Sequence, residues 1–264
     1  MSMFDKSDDK VCSLCREKKK LTFEHIPPRG AFNSSPAKPV TGDKILGNSD
    51  RMPWDIEGLP YINSQRGMGL FSLCSGCNNN TGAWYADFYI EFSHIIAQLL
   101  RGIEANGKIP TGLQVNDVYM LRFIKQIISM FCSINNSDRE LDCLREFVLD
   151  KEQTGIDKEK FRVCMYFTHT PLVKYVPRSV IFTVGEQKFV TLSEITAYPL
   201  GFLLYYNPKG EYKGIDITSF ADYGYDVHGE VKFPYTCYEV NEALPEDYRT
   251  RDEIIDCIQK NTLD

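Results

Sequence analysis

From Trp84 onward, large apolar residues recur at helical spacing: Trp84, Phe88, Phe92, Ile95 and Leu99, widened by Tyr85, Tyr89 and Ile96. Asp87, Glu91, His94, Gln98 and Arg101 take the opposite face, so a long amphipathic helix is predicted. Leu121, Ile124, Ile127, Ile128, Phe131 and Ile134 form a second stripe, with Arg122, Lys125, Gln126, Ser129 and Ser133 facing away and Asn116-Asp117 as its cap. Ser137-Asp138-Arg139-Glu140 has the spacing of a capping box, and a third helix should run to about Asp150. The period then changes to two. Phe161, Val163, Met165 and Phe167 alternate with Arg162, Cys164, Tyr166 and Thr168, and further β-like runs lie near 180–184, 188–192, 201–206 and 230–235. Thr250-Arg251-Asp252-Glu253 is another capping box before a short C-terminal helix.

The N-terminal part reads differently. Residues 21–26 and 69–73 predict two short strands, the first stopped by Pro27-Pro28. The intervening chain is rich in Gly, Pro, Ser and Asn, an ordered insertion at about 29–68 that Trp54, Ile56, Leu59, Tyr61 and Ile62 can dock. Residues 1–10 are polar and expected to be loose, and the break at 102–112 suggests a domain boundary. The expected organisation is thus residues 1–110, followed by a helical and antiparallel-β-rich domain over 111–264.

Composition adds constraints. With 264 residues, 43% hydrophobic and 25% charged, the chain can bury a sizeable core. No apolar segment follows a basic start, so no signal peptide is expected. The most apolar stretches are interrupted by charges, which argues against membrane spans. Nine cysteines, five of them scattered without pattern, fit a reducing cytoplasm better than a disulfide framework. The net charge of −6 is unusual for a protein that binds nucleic acid, but it is uneven. Residues 1–110 carry 13 Lys and Arg against 12 Asp and Glu; residues 111–264 carry 17 against 24.

Four cysteines do form a pattern. Cys12-Ser13-Leu14-Cys15 and Cys74-Ser75-Gly76-Cys77 are two Cys-x-x-Cys knuckles, and four thiolates suit a tetrahedral structural Zn²⁺. Such an ion would bring Glu24-His25 next to Asn78. These residues resemble the HNH (His-Me finger, ββα-metal) endonucleases, in the branch with a four-Cys zinc. The motifs are Cys-x-x-Cys, an acidic residue directly before His, then Cys-x-x-Cys-Asn78 with Gly82 four residues on. The likeness covers roughly residues 10–100. It departs in having Glu where Asp is common, and in the 48 residues between His25 and Cys74.

The resemblance implies a zinc-stapled ββα-metal finger, hence an α+β protein. It makes His25 the general base, with Glu24 and Asn78 holding a catalytic Mg²⁺ or Mn²⁺. An imidazole titrates near neutral pH and can deprotonate water, while a hard cation prefers oxygen ligands. Adjacent strand residues point to opposite sides, so Glu24 and His25 reach one site only where the strand ends or bends. Arg16, Lys18, Lys19 and Lys20 beside the first knuckle, with Arg29 and Arg66, are candidates for contacting the phosphate backbone. The implied activity is metal-dependent cleavage of DNA; the family mostly cuts DNA, and RNA stays open as a substrate. Standalone nuclease fingers with a sizeable second domain resemble effectors of restriction or anti-phage systems. Residues 111–264 would then offer a docking surface for a protein partner or a second copy of the chain. The alternative is a catalytically silent zinc module that binds nucleic acid or a protein partner.

Overall fold

The computed structural model describes residues 10–47, 51–52, 54–183, 188–241 and 244–261. Residues 1–9 of the segment expected to be loose, and Val184 at the end of one predicted strand, lie outside the described residues.

The chain begins with a two-stranded ribbon, β1 (Lys10–Val11) against β2 (Lys18–Lys19), whose turn carries Cys12 and Cys15. Strand β3 (Leu21–His25) follows directly. The described residues of the insertion include a short helix, α1 (Gly42–Leu46), and the chain rejoins the body at β4 (Gly69–Cys74). β3 and β4 pair antiparallel, from Leu21 opposite Cys74 to His25 opposite Gly69. The docking role expected of the insertion's apolar residues is only partly met: Ile56 and Tyr61 are exposed, whereas the Trp54 ring lies 5.5 Å from the Arg251 guanidinium.

β4 runs into α2 (Ser75–Thr81), a π-helical turn at Gly82–Ala86, and α3 (Asp87–Asn106) as one continuous rod. The predicted stripe is rotated. Tyr85, Tyr89, Phe92, Ile96 and Leu100 are fully buried, while Trp84, Ile95 and Leu99 are only half-buried. The π turn accounts for this, because it adds a residue to one turn and shifts the apolar face that follows.

β5 (Gly112–Val118) occupies the stretch expected to cap the next helix, and α4 (Met120–Ile134) starts only after Tyr119. Every α4 residue except Arg122 is buried. Lys125, Gln126, Ser129 and Ser133 therefore do not face solvent, because α4 is covered on several sides by α3, the π turn, β4 and later elements. A 3-10 turn (Arg139–Leu141), capped by Asp138 accepting from the Glu140 N–H, leads into α5 (Asp142–Leu149).

Four of the five alternating runs join one antiparallel sheet as β6 (Phe161–Phe167), β7 (Val173–Thr183), β8 (Lys188–Ala197) and β9 (Leu200–Tyr206), with the short β10 (Ile215–Asp216) at its edge, in the order β10-β6-β9-β8-β7. A second 3-10 turn (Thr218–Asp222) precedes β11 (Gly229–Pro234), which pairs with β5. α6 (Arg251–Asn261) closes the described chain behind the predicted capping box. The Thr250 N–H donates to the Glu253 carboxylate, and the Glu253 N–H donates to Thr250 Oγ1.

The fold is mixed α and β with antiparallel sheets. Between residues 106 and 112 one element ends and another begins, but the core does not divide there. A single buried cluster runs from Cys12, Leu73 and Tyr89 through Phe123 and Ile127 to Phe202 and Phe233. No helix among the described residues is long and apolar enough to cross a membrane.

Candidate functional site at the hairpin and the four-cysteine cluster

Strand pairing brings the two knuckles together. Cys74 ends β4 opposite Leu21, Cys77 sits in the first turn of α2, and Cys12 and Cys15 lie on the adjoining β1–β2 turn. The four Sγ atoms lie within 4.8 Å of one another, with Cys15 and Cys74 at 3.9 Å. A tetrahedron with metal–sulfur bonds of about 2.3 Å has edges of about 3.8 Å, so the donor set fits an ion such as zinc. Among the described residues this is the one group of three or more His, Cys, Asp or Glu placed to share a metal. The electrostatics agree. The Cys77 thiol donates to Cys12 and holds its pKa down at about 4, while that same contact and burial push Cys77 up. A divalent cation would relieve the repulsion that stops four crowded thiols from ionising together.

The knuckle is anchored by a residue 132 positions further along the chain. Arg145 is 2% exposed and donates from Nε to the Ser13 carbonyl at 2.7 Å. Its other nitrogens reach the carbonyls of Asn135, Asn136 and Asp138 and the Asp142 carboxylate. No pattern in the sequence marks this arginine.

His25 ends β3, four residues from the cluster end of the strand, a distance of about 13 Å at 3.3 Å per residue. Its ring is half-buried and meets Phe23 edge-on at 5.0 Å, so both side chains share one face. Nε2 lies 2.8 Å from the Arg66 carbonyl oxygen. A carbonyl only accepts, so Nε2 carries the ring proton and Nδ1 keeps its lone pair. Burial holds the His25 pKa below its ordinary value, and the charges of Arg29 and Arg66 push the same way. The imidazole is therefore neutral at pH 7.

The backbone around His25 is held by residues that sequence reasoning missed. Asn33 is buried; its Nδ2 donates to the carbonyls of Pro27 and Met68, and its Oδ1 accepts from the Met68 N–H. The Tyr175 hydroxyl on β7 donates to the Ile26 carbonyl. Two glycines permit the close approach. A Cβ on Gly69 would sit 2.0 Å from the Glu24 carbonyl, and Gly67, at φ 93°, turns the chain so that Arg66 faces the imidazole.

Glu24 lies on the other face. It is 5% exposed, and its Oε2 accepts from Ser72 Oγ at 2.7 Å and from Ser133 Oγ. Burial raises its pKa to about 7. Ser72 is the unpaired extra residue of a bulge in β4, and Ser133 comes from α4. The one sequence signal for this arrangement was a serine inside the apolar run Leu70-Phe71-Ser72-Leu73. Asn78 reaches β3 from α2: Nδ2 donates to Thr22 Oγ1 at 2.9 Å and to the Phe23 carbonyl at 3.2 Å. Fixed in this way, its Oδ1 points away from both acceptors.

The basic candidates separate into three groups. Arg29 and Arg66 are exposed and near enough to His25 to shift it. Lys18, Lys19 and Lys20 are exposed at the cluster end of β3, with Lys19 paired to Glu17 at 2.5 Å. Arg16 donates to the Asn136 carbonyl and to its Oδ1, both at 2.6 Å, and so ties the knuckle to the segment after α4. His94 on α3 faces the Gly30 carbonyl at 2.9 Å and steadies the loop that carries Arg29. The chain matches no protein-family model, no curated protein and no solved structure.

Proposed function

We propose that the protein is an HNH-type endonuclease that hydrolyses phosphodiester bonds of DNA, with His25 as general base. The observation that carries this reading is the state of His25: neutral, its tautomer set by the Arg66 carbonyl, and flanked by two exposed arginines. Nδ1 would take a proton from water, and the resulting hydroxide would attack phosphorus. The P–O3′ bond would break with its electron pair on O3′, which then takes a proton from solvent. Arg29 and Arg66 would hold the phosphate by charge-assisted hydrogen bonds. Zinc in the cluster of Cys12, Cys15, Cys74 and Cys77 would supply folding energy and no chemistry, since four thiolates leave no open position.

A catalytic Mg²⁺ or Mn²⁺ belongs to this reading through the resemblance. Asn78 Oδ1 suits such an ion. Glu24 does not fit as its ligand, because its carboxylate is buried against Ser72 and Ser133 on the face away from the His25 ring. No step is therefore assigned to the cation. The same observation favours a second reading, a zinc module that binds nucleic acid or a protein partner without cutting.

Nicking of supercoiled plasmid by the zinc-loaded chain, with Mg²⁺ or Mn²⁺ and with chelator, decides between them. The expected result is cation-dependent nicking that His25→Ala abolishes while zinc content stays unchanged. The rate should fall as pH falls through a pKa below 6.5, since only the neutral imidazole accepts the proton. Equal nicking by His25→Ala removes the assignment; no nicking by the wild-type chain favours the silent module.

A further inference from the structure

The resemblance places Glu24 on a cation, yet its side chain is occupied elsewhere. Both serine hydroxyls that reach its Oε2 are buried, and neither faces the His25 ring across the strand. To ligate an ion beside His25, the carboxylate would have to abandon both donors and cross the plane of a paired strand. Leaving those donors unpaired in the core is costly. What the two serines connect is informative. Ser72 also accepts, through its carbonyl, the Ser13 N–H of the first knuckle at 2.8 Å. Ser133 belongs to α4, which is buried along its length. Through Ser72, Glu24 therefore links β3 to the knuckle, and through Ser133 to α4. The peptides just past the end of β3 are pinned as well, by Tyr175 at Ile26 and by Asn33 at Pro27. Only the His25 ring projects from this clamped stretch toward the Arg66 carbonyl.

We infer that Glu24 is a positioning residue for His25, the buried acceptor that docks β3 on α4, and not a ligand of a cation on the His25 face. The inference rests on the reading of His25 as the working group. It predicts that the Nε2–H tautomer depends on the Ser72–Glu24–Ser133 link, and that cation affinity does not depend on Glu24.

The test uses the full zinc-loaded chain and needs no cleavage. Imidazole 1H–15N spectra separate the two neutral tautomers. Wild type and Glu24→Gln, whose amide oxygen still accepts from both serines, should show His25 as Nε2–H alone. Glu24→Ala and the Ser72→Ala/Ser133→Ala double variant should show mixed tautomers. Mn²⁺ titration followed by water proton relaxation should give Glu24→Gln and wild type dissociation constants within about twofold of each other. A single Nε2–H tautomer in the folded double-serine variant overturns the inference, whether or not Glu24→Ala folds. So does a loss of Mn²⁺ affinity of about tenfold or more in Glu24→Gln. If the wild-type chain cuts no DNA, the nuclease reading fails while the imidazole spectra still decide the role of Glu24.

Discussion

Replacing Glu24 by Gln should change how stability depends on pH, and the size of the change follows from the carboxyl's surroundings. Its ordinary pKa of 4.5 rises to about 7 because burial disfavours the charged form more than the two serine hydroxyls favour it. In the unfolded chain the group ionises near 4.5. In the folded chain it keeps its proton to about 7. Between those values folding takes up a proton, so stability is fully present below 4.5 and is lost as pH rises through 7. At 1.36 kcal/mol per pKa unit, the loss amounts to about 3 kcal/mol. Gln has nothing to ionise, and its amide oxygen keeps both serine hydroxyls paired. The variant should therefore gain about 3 kcal/mol on the wild type between pH 4.5 and pH 8. Urea unfolding of both chains at fixed zinc across this range measures the difference. Zinc release at low pH affects both chains alike and cancels. Unfolding free energies that run parallel from pH 4.5 to 8 would refute the argument, because they would mean that the carboxylate is solvated or neutralised.

Three further outcomes are expected. The purified protein should hold about one zinc per chain, and Cys74→Ser should lose both the metal and the ordered β3–β4 hairpin, read by metal analysis and amide spectra; a well-folded, zinc-free Cys74→Ser chain would contradict this. Arg145→Met should cost about 3 kcal/mol in chemical denaturation, since it strips a buried donor from four carbonyls and one carboxylate, whereas an exposed arginine would cost a few tenths. Arg29→Ala with Arg66→Ala should lower the slope of log binding constant against log salt by about 2 for duplex DNA; substituting Arg16, already bonded to Asn136, should leave the slope unchanged.

The sequence was most informative where the determining physics is local. Two Cys-x-x-Cys knuckles pointed to a cluster of four cysteines that could hold a metal, and the four Sγ atoms do converge, because the spacing within each knuckle is built into a single turn. The capping box at Thr250–Glu253 formed as its spacing demanded, since both hydrogen bonds lie within one turn of helix. Four of the five period-two runs became strands of one antiparallel sheet and the fifth became β11, paired with β5, while the strands expected at 21–26 and 69–73 formed as β3 and β4. The histidine proposed here as base stood out in the sequence too, directly after Glu24 and two residues before Pro27-Pro28.

What the sequence could not supply was the face that each polar group meets. α4 reads as an amphipathic helix with a polar side, yet that side is buried because the β3–β4 hairpin, β7 and α5 close over it. Ser133 then becomes a partner for Glu24, 109 residues away in the chain. Tyr175 and Arg145 secure the hairpin and the knuckle across 149 and 132 residues. None of these partners leaves a periodic trace, since each contributes one polar atom to a site assembled from distant elements. Adjacent residues on a strand face opposite ways, so pairing alone separates Glu24 from His25. Which of the two faces solvent was settled by where the rest of the chain packs.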